Sequence, residues 1–207
     1  QFRVEAPFAG LRIPVDVMPL TGLVDISTAQ PPLLQGLYQI VGGLPANQAE
    51  ALAVATVEAR NARDSRGRAL GFEAVQDLLR VPGMGYDLYA RLAPLLTVDS
   101  QGDGKVNPLA APPEVLTLLA GGNPQRAAAV LSARASGGLP DTTTLQADWV
   151  SNTTTSRYRV QALVPMGDGT TVVVSRGVDL RADSRLGLPW RFFYAEHWTV
   201  APDARRP

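Results

Sequence analysis

The segment Asp99-Ser100-Gln101-Gly102-Asp103-Gly104 comes nearest to a ligating pattern in this chain. Oxygen-bearing side chains at Asp99, Gln101 and Asp103 alternate with small residues, partly as in a calcium loop, where about six to eight oxygens surround the ion. No Glu follows at bidentate spacing, so the residues also read as an exposed turn between a helix and a strand. His197 is the single histidine and cysteine is absent. Those two facts exclude a multi-His metal site, a thiolate zinc site and a cysteine nucleophile, and they argue against a His-based triad. Val81-Pro82-Gly83-Met84-Gly85 resembles the hairpin of a helix-hairpin-helix nucleic-acid module, whose backbone N–H groups meet phosphate. Its neighbours are Tyr86, Asp87 and Tyr89, where a phosphate reader carries Lys or Arg. Arg60, Arg63, Arg66 and Arg68 offer a contact for anionic lipid or an acidic partner, but Glu58 and Asp64 offset them and favour a solvated loop. Neither a Gly-rich phosphate motif nor a Gly-x-Ser-x-Gly turn is present.

Composition narrows the class. The chain has 207 residues, 45% hydrophobic and 18% charged, which fits one globular domain or two small ones. Basic and acidic residues number 19 each, and a zero net charge argues against a dedicated nucleic-acid binder. No apolar run approaches the roughly 18 residues of a membrane span, and no signal peptide is visible. The start at Gln1 suggests a trimmed chain from which an anchor has been removed.

The elements that would position these residues follow from periodicity. Phe2 and Val4, then Ile13, Val15 and Val17, alternate as strands, with Pro14 restricting the second to an edge or bulge. Pro31-Pro32 opens a helix to about Ile40 that Gly42-Gly43 ends. A second helix starts near Pro45 with Ala49, Leu52, Ala53, Thr56 and Val57 on one face. Phe72–Leu79 and Leu88–Leu96 give two more. Pro112-Pro113, a short helix, Gly121-Gly122 and a helix over about 124–135 then repeat the earlier order, a weak internal repeat. Residues 139–156 read as a loop. Tyr158–Val164 and Val172–Leu180 flank a hairpin turn at Gly167-Asp168-Gly169. Asp183–Pro189 reads as a loop. Trp190, Phe192, Tyr194 and Trp198 give a period-2 aromatic face suited to packing a sheet on helices, before a frayed tail at Asp203–Pro207.

The ordered set resembles a known family. Its carriers are Asp25-Ile26-Ser27-Thr28-Ala29 before Pro31-Pro32; Phe72–Leu79 running into Val81-Pro82-Gly83-Met84; Tyr89–Leu96; Val106-Asn107 before Ala111-Pro112-Pro113-Glu114-Val115-Leu116; and Ser156-Arg157-Tyr158. Together they resemble the minor pseudopilin family called general secretion pathway protein K, of bacterial type II secretion systems. The resemblance implies an α+β fold: a pilin-like antiparallel sheet domain with an inserted small helical domain of helix-hairpin-helix or SAM-like helices. It places the sheet domain at residues 1–27 plus 104–207 and the insert at 28–103. It also implies a non-enzymatic role at the tip of the periplasmic pseudopilus, capping the filament with minor pseudopilins I and J and other pseudopilus subunits. It implies a single inner-membrane helix ahead of Gln1, no nucleic acid and no certain cofactor, with calcium at Asp99, Gln101 and Asp103 the one ligand to consider. The Glu58–Arg68 segment departs from the family, where a Trp/Asp-rich stretch and a long acidic loop stand. That departure weakens transfer of a calcium site and makes the capping domain small.

Overall fold

The computed structural model describes residues 2–181 and 187–201. The loop expected at Asp183–Pro189 lies partly, and the tail at Asp203–Pro207 wholly, outside the described residues. The fold is α+β and divides into two compact units, Gln1–Leu20 with Thr155–Pro207, and Thr21–Thr154. Residues 21–27 and 104–154, expected in the sheet domain, fold with the helices instead. The cause is shared burial: Val115, Leu116, Leu118 and Leu119 enter the same core as Leu33, Leu34 and Leu37.

The first unit is one antiparallel sheet. Its strands are β1 (Phe2–Phe8), β2 (Leu11–Pro19), β5 (Arg157–Pro165), β6 (Thr171–Asp179) and β7 (Arg191–Val200), ordered β1-β2-β5-β6-β7. Two short strands, β3 (Val24–Asp25) and β4 (Leu96–Thr97), belong to the second unit. β5 pairs with β2 only over Val15–Pro19, so Pro14 lies past the last of those pairs, where proline is tolerated. Register separates two faces. Val4, Val15, Ala162, Val174 and His197 form one row across all five strands; Arg3, Asp16, Gln161, Ser175 and Glu196 form the neighbouring row on the opposite face. The first face is mostly apolar, with Phe2 and Phe8 exposed on it (54% and 70%). The second carries polar pairs such as Arg3–Asp16 at 2.7 Å.

The aromatic face expected from Trp190 to Trp198 does not form. Register shifts by one residue at Gly177/Val178, so Tyr194 faces Gly177 while Phe192 faces Val178. The extra residue, Phe193, is a β-bulge that puts Tyr194 and Phe192 on opposite faces. Phe192 is left 63% exposed and Trp198 41%.

The second unit is helical. It holds α1 (Pro31–Gly36), which continues as a π-helical turn over Leu37–Val41, then α2 (Ala46–Asn61), α3 (Tyr86–Leu92), α4 (Pro113–Leu119) and α5 (Pro124–Ala135). A proline at the first turn of α1, α4 and α5 sits where its missing N–H has no helical partner anyway. The stripe read on α2 is the buried one, Ala49, Leu52, Ala53 and Thr56. The helix read over Phe72–Leu79 shrinks to a 3-10 segment, Val75–Arg80. Asp77 ends it early on the N-terminal side, because its carboxylate accepts the N–H groups of Glu73 (2.7 Å) and Ala74 (3.1 Å). β3 (Val24–Asp25) and β4 (Leu96–Thr97) join in a short parallel pair.

Candidate functional site

The loop that follows β4 is held by a buried carboxylate. Asp25, at the end of β3, is 5% exposed. One of its oxygens, Oδ1, accepts the Ser27 N–H at 2.9 Å; the other, Oδ2, accepts the Ser100 N–H at 3.0 Å and its hydroxyl at 2.6 Å. The Ser100 hydroxyl in turn accepts the Gly102 N–H at 3.0 Å. Gly104 has φ +82° and lies so close to the Thr28 carbonyl that a Cβ would sit 2.5 Å from its oxygen.

Of the three residues read as calcium ligands, Asp103 accepts the Lys105 N–H at 3.1 Å through Oδ1, and the Thr153 hydroxyl at 3.4 Å reaches Oδ2. Asp99 receives its own turn from Thr97, whose hydroxyl accepts the Asp99 N–H at 3.2 Å. Gln101 takes a left-handed backbone, φ +56°. Among the described residues no group of three or more His, Cys, Asp or Glu side chains gathers where a metal could be held. Asp99, Gln101 and Asp103 supply two carboxylates and an amide, so a calcium ion, which takes about six to eight oxygens, would need backbone carbonyls or water to complete its shell.

The internal repeat becomes a structural one. Asp25 and Asn107 each close an Asx turn: Asp25 Oδ1 accepts the Ser27 N–H, and Asn107 Oδ1 accepts the Leu109 N–H at 2.9 Å. Their carbonyls accept equivalent N–H groups, Thr28 and Ala29 for the first, Ala110 and Ala111 for the second. Each then leads to a double proline, Gln30 being the one inserted residue. A guanidinium from the following long helix caps each turn. Arg60 Nη1 donates to the carbonyls of Ile26 (3.2 Å) and Ala29 (2.6 Å); Arg134 Nη1 donates to those of Pro108 (3.3 Å) and Ala111 (2.7 Å). Burial pulls both guanidiniums below their ordinary value, and for Arg60 the Asp25 charge acts the other way. The parallel contact also repeats: Val24 pairs with Leu96, and Val106 bridges Val150.

The hairpin that resembles a phosphate contact is part of the helical packing. Val81 and Met84 are buried, and Gly83 takes φ +91° between them. Its flanking cations are engaged, Arg80 with Asp77 at 3.1 Å and Arg91 with the Gly42 carbonyl at 2.9 Å. In the Arg60–Arg68 segment, Arg68 pairs with Asp64 at 2.8 Å and Arg63 donates to the Gly67 carbonyl at 2.8 Å. The Arg68 backbone and side-chain donors hold the Asp64 carboxyl below its ordinary value.

The sheet unit contains a cluster that sequence reading missed. Asp179, with its side chain fully buried, accepts from Arg181 (2.6 Å), Arg157 (3.3 Å), Arg191 (3.3 Å) and the Ser156 hydroxyl (2.8 Å). Arg181 above all holds this carboxyl far below the usual carboxylate range, against the opposing effect of burial. The Arg157 guanidinium lies 4.8 Å from the centre of the Phe193 ring, and Phe193 meets Tyr194 edge to face at 5.3 Å. Both rings cover Gly177, where a Cβ would overlap them. The sequence signal for this cluster was an Asp at the end of a strand rich in valine.

No protein-family model and no curated protein matches this chain. A chain of a solved structure does: the GspK-GspI-GspJ complex from the enterotoxigenic Escherichia coli type 2 secretion system. The match has a TM-score of 0.60 at 12% identity and covers 96% of this chain and 84% of that one. At that identity the likeness establishes the fold, a pilin-like antiparallel sheet interrupted by a helical unit.

Proposed function

We propose that this chain is the periplasmic region of a K-type minor pseudopilin at the tip of a type II secretion pseudopilus. The observation that carries the reading is the likeness to a chain of the GspK-GspI-GspJ complex across both units, insertion included. In this reading the sheet unit packs on minor pseudopilins I and J. The helical unit, spliced between β2 and β5, covers the end where another subunit would add. The role is geometric and non-enzymatic, and it supports export of folded proteins across the outer membrane. The apolar sheet face bearing Phe2, Val4, Phe8 and Leu11 suits an apolar helix ahead of Gln1 that also anchors the protein in the inner membrane. No described helix is long and apolar enough to cross a membrane. In this reading the Asp99–Asp103 loop serves, through Ser100, as a clasp on Asp25.

Coexpression with the I and J subunits of the same organism tests the proposal. A stable ternary complex on size exclusion is the expected result, and replacing 21–154 by a short linker should keep the complex while lengthening pseudopili in cells. Failure to form any complex overturns the reading. Tight, salt-sensitive binding in a low-salt gel shift would favour the helix-hairpin-helix alternative instead.

A further inference from the structure

The two edges of the sheet are guarded differently. β1 carries Pro7, an Arg3–Asp16 pair at 2.7 Å and an Arg12–Glu5 pair at 3.3 Å beside it. Proline and charge are common means of blocking an edge. β7 is longer, ten residues, and contains neither Pro nor Lys. The direction of its backbone groups follows from one side chain. Arg176 Nη1 donates to the carbonyls of both Ser175 (2.8 Å) and Glu196 (3.2 Å). A single nitrogen reaches both oxygens only if both lie in the gap between β6 and β7. Ser175 and Glu196, which face each other in the register, are therefore a hydrogen-bonded pair. By alternation Ala195, His197 and Thr199 turn their N–H and C=O groups outward. All three residues are exposed, and among the described residues none of these groups has a backbone partner.

We propose that β7 from Ala195 to Thr199 is a strand-accepting edge, occupied by an extended segment of a partner protein. The occupant's chemistry is set by what flanks the edge. Trp198, on the polar face, offers an exposed ring that a Val, Thr or aromatic side chain of the incoming strand would cover. Past the Phe193 bulge, half-exposed Arg191 and Arg181 meet the end of that strand and call for an acidic residue there. The bulge ends regular pairing on that side, so the usable ladder is short and the contact is a docking contact rather than a continuation of the sheet. This inference rests on the backbone of β7 and is independent of the proposed tip position.

The test uses the whole chain and a capped eight-residue peptide of alternating Val and Thr with two Glu at one end. Amide exchange by NMR reads the edge directly. The N–H groups of Ala195, His197 and Thr199 should exchange quickly in the free protein and at least tenfold more slowly with saturating peptide. Thr199→Pro deletes one outward N–H without touching the β6–β7 ladder, so it should weaken binding at least tenfold at unchanged thermal midpoint. His197→Pro repeats the test if Thr199→Pro misfolds. Equal slowing along β1, no slowing at all, or full binding by the proline variants overturns the proposal. Protection that grows with protein concentration and no peptide would also overturn it, by making a second copy of the chain the occupant.

Discussion

Arg60 and Arg134 occupy equivalent positions in the two halves of the helical unit. Each sends one guanidinium nitrogen to two carbonyls three residues apart, just ahead of a double proline. The carbonyls need this help because the Asx turn leaves them pointing away from any strand or helix partner. Arg60→Ala or Arg134→Ala should each cost about 2 kcal/mol in urea unfolding, the scale of lost charge-assisted hydrogen bonds to part-buried acceptors. Lys at either position should recover only part of the loss, since its ammonium is strongly hydrated and lacks the planar fork. A loss confined to one of the two sites would refute their equivalence.

Asp25 and Asn107 differ by one atom because their outer partners differ. Asp25 Oδ2 accepts two donors from Ser100, whereas Asn107 Nδ2 donates to the Thr153 carbonyl at 3.1 Å. Exchanging the two residue types sets donor against donor in the first half and oxygen against oxygen in the second. Asp25→Asn and Asn107→Asp should each lower stability by about 1–3 kcal/mol, the cost of a buried polar group left unmatched. Calorimetry on both variants checks this, and a neutral outcome for either would remove the assigned polarity.

Gly177 is required by the bulge. Its missing side chain leaves the space that the Phe193 and Tyr194 rings fill. Gly177→Ala should cost about 1–3 kcal/mol through forced repacking and should weaken the near-ultraviolet dichroism of those rings. The double variant Gly177→Ala, Tyr194→Ala should regain part of that loss. If Gly177→Ala leaves both stability and dichroism untouched, the rings do not depend on that space.

Much of this architecture was legible before the structure. Pro31-Pro32 with Gly42-Gly43, and Pro112-Pro113 with Gly121-Gly122, mark helix starts and stops through backbone chemistry alone, so the repeat showed itself in four dipeptides. The stripe Ala49, Leu52, Ala53 and Thr56 was legible because burial follows helical period. What stayed hidden depended on long-range partners. The bulge at Phe193 is invisible to a period-2 reading, since nothing local says that Val178 will face Phe192. Asp179 gave no hint of three arginines, Arg181 two residues on and Arg157 and Arg191 facing it from the strands on either side. The oxygen-rich loop at Asp99–Asp103 drew attention for its side chains, while the carboxylate that holds it lies more than seventy residues earlier, at Asp25.

One buried carboxyl, Asp179, and one buried hydroxyl, Tyr38, should bound the pH range of stability. Asp179 has a folded value far below the usual carboxylate range, first because of Arg181. Its stabilisation is therefore complete above the unfolded value, about 3.9, and is lost as pH falls below it. Tyr38 behaves in the opposite sense. Burial pushes its hydroxyl up to about 12 from 10.0, with the Arg60 charge opposing. The Thr56 proton goes to the Leu52 carbonyl at 2.7 Å, so the Tyr38 hydroxyl is the donor in its 2.9 Å bond to Thr56 and cannot ionise without breaking it. Its contribution is whole below pH 10 and is lost as pH rises towards 12. Unfolding free energies measured by urea across pH 2.5–11.5 should thus fall at both ends, roughly the span between those two titrations. Tyr38→Phe should cost about 1 kcal/mol at neutral pH and flatten only the alkaline limb. Asp179→Asn should flatten only the acid limb, and an alkaline limb unchanged by Tyr38→Phe would show that another group governs it.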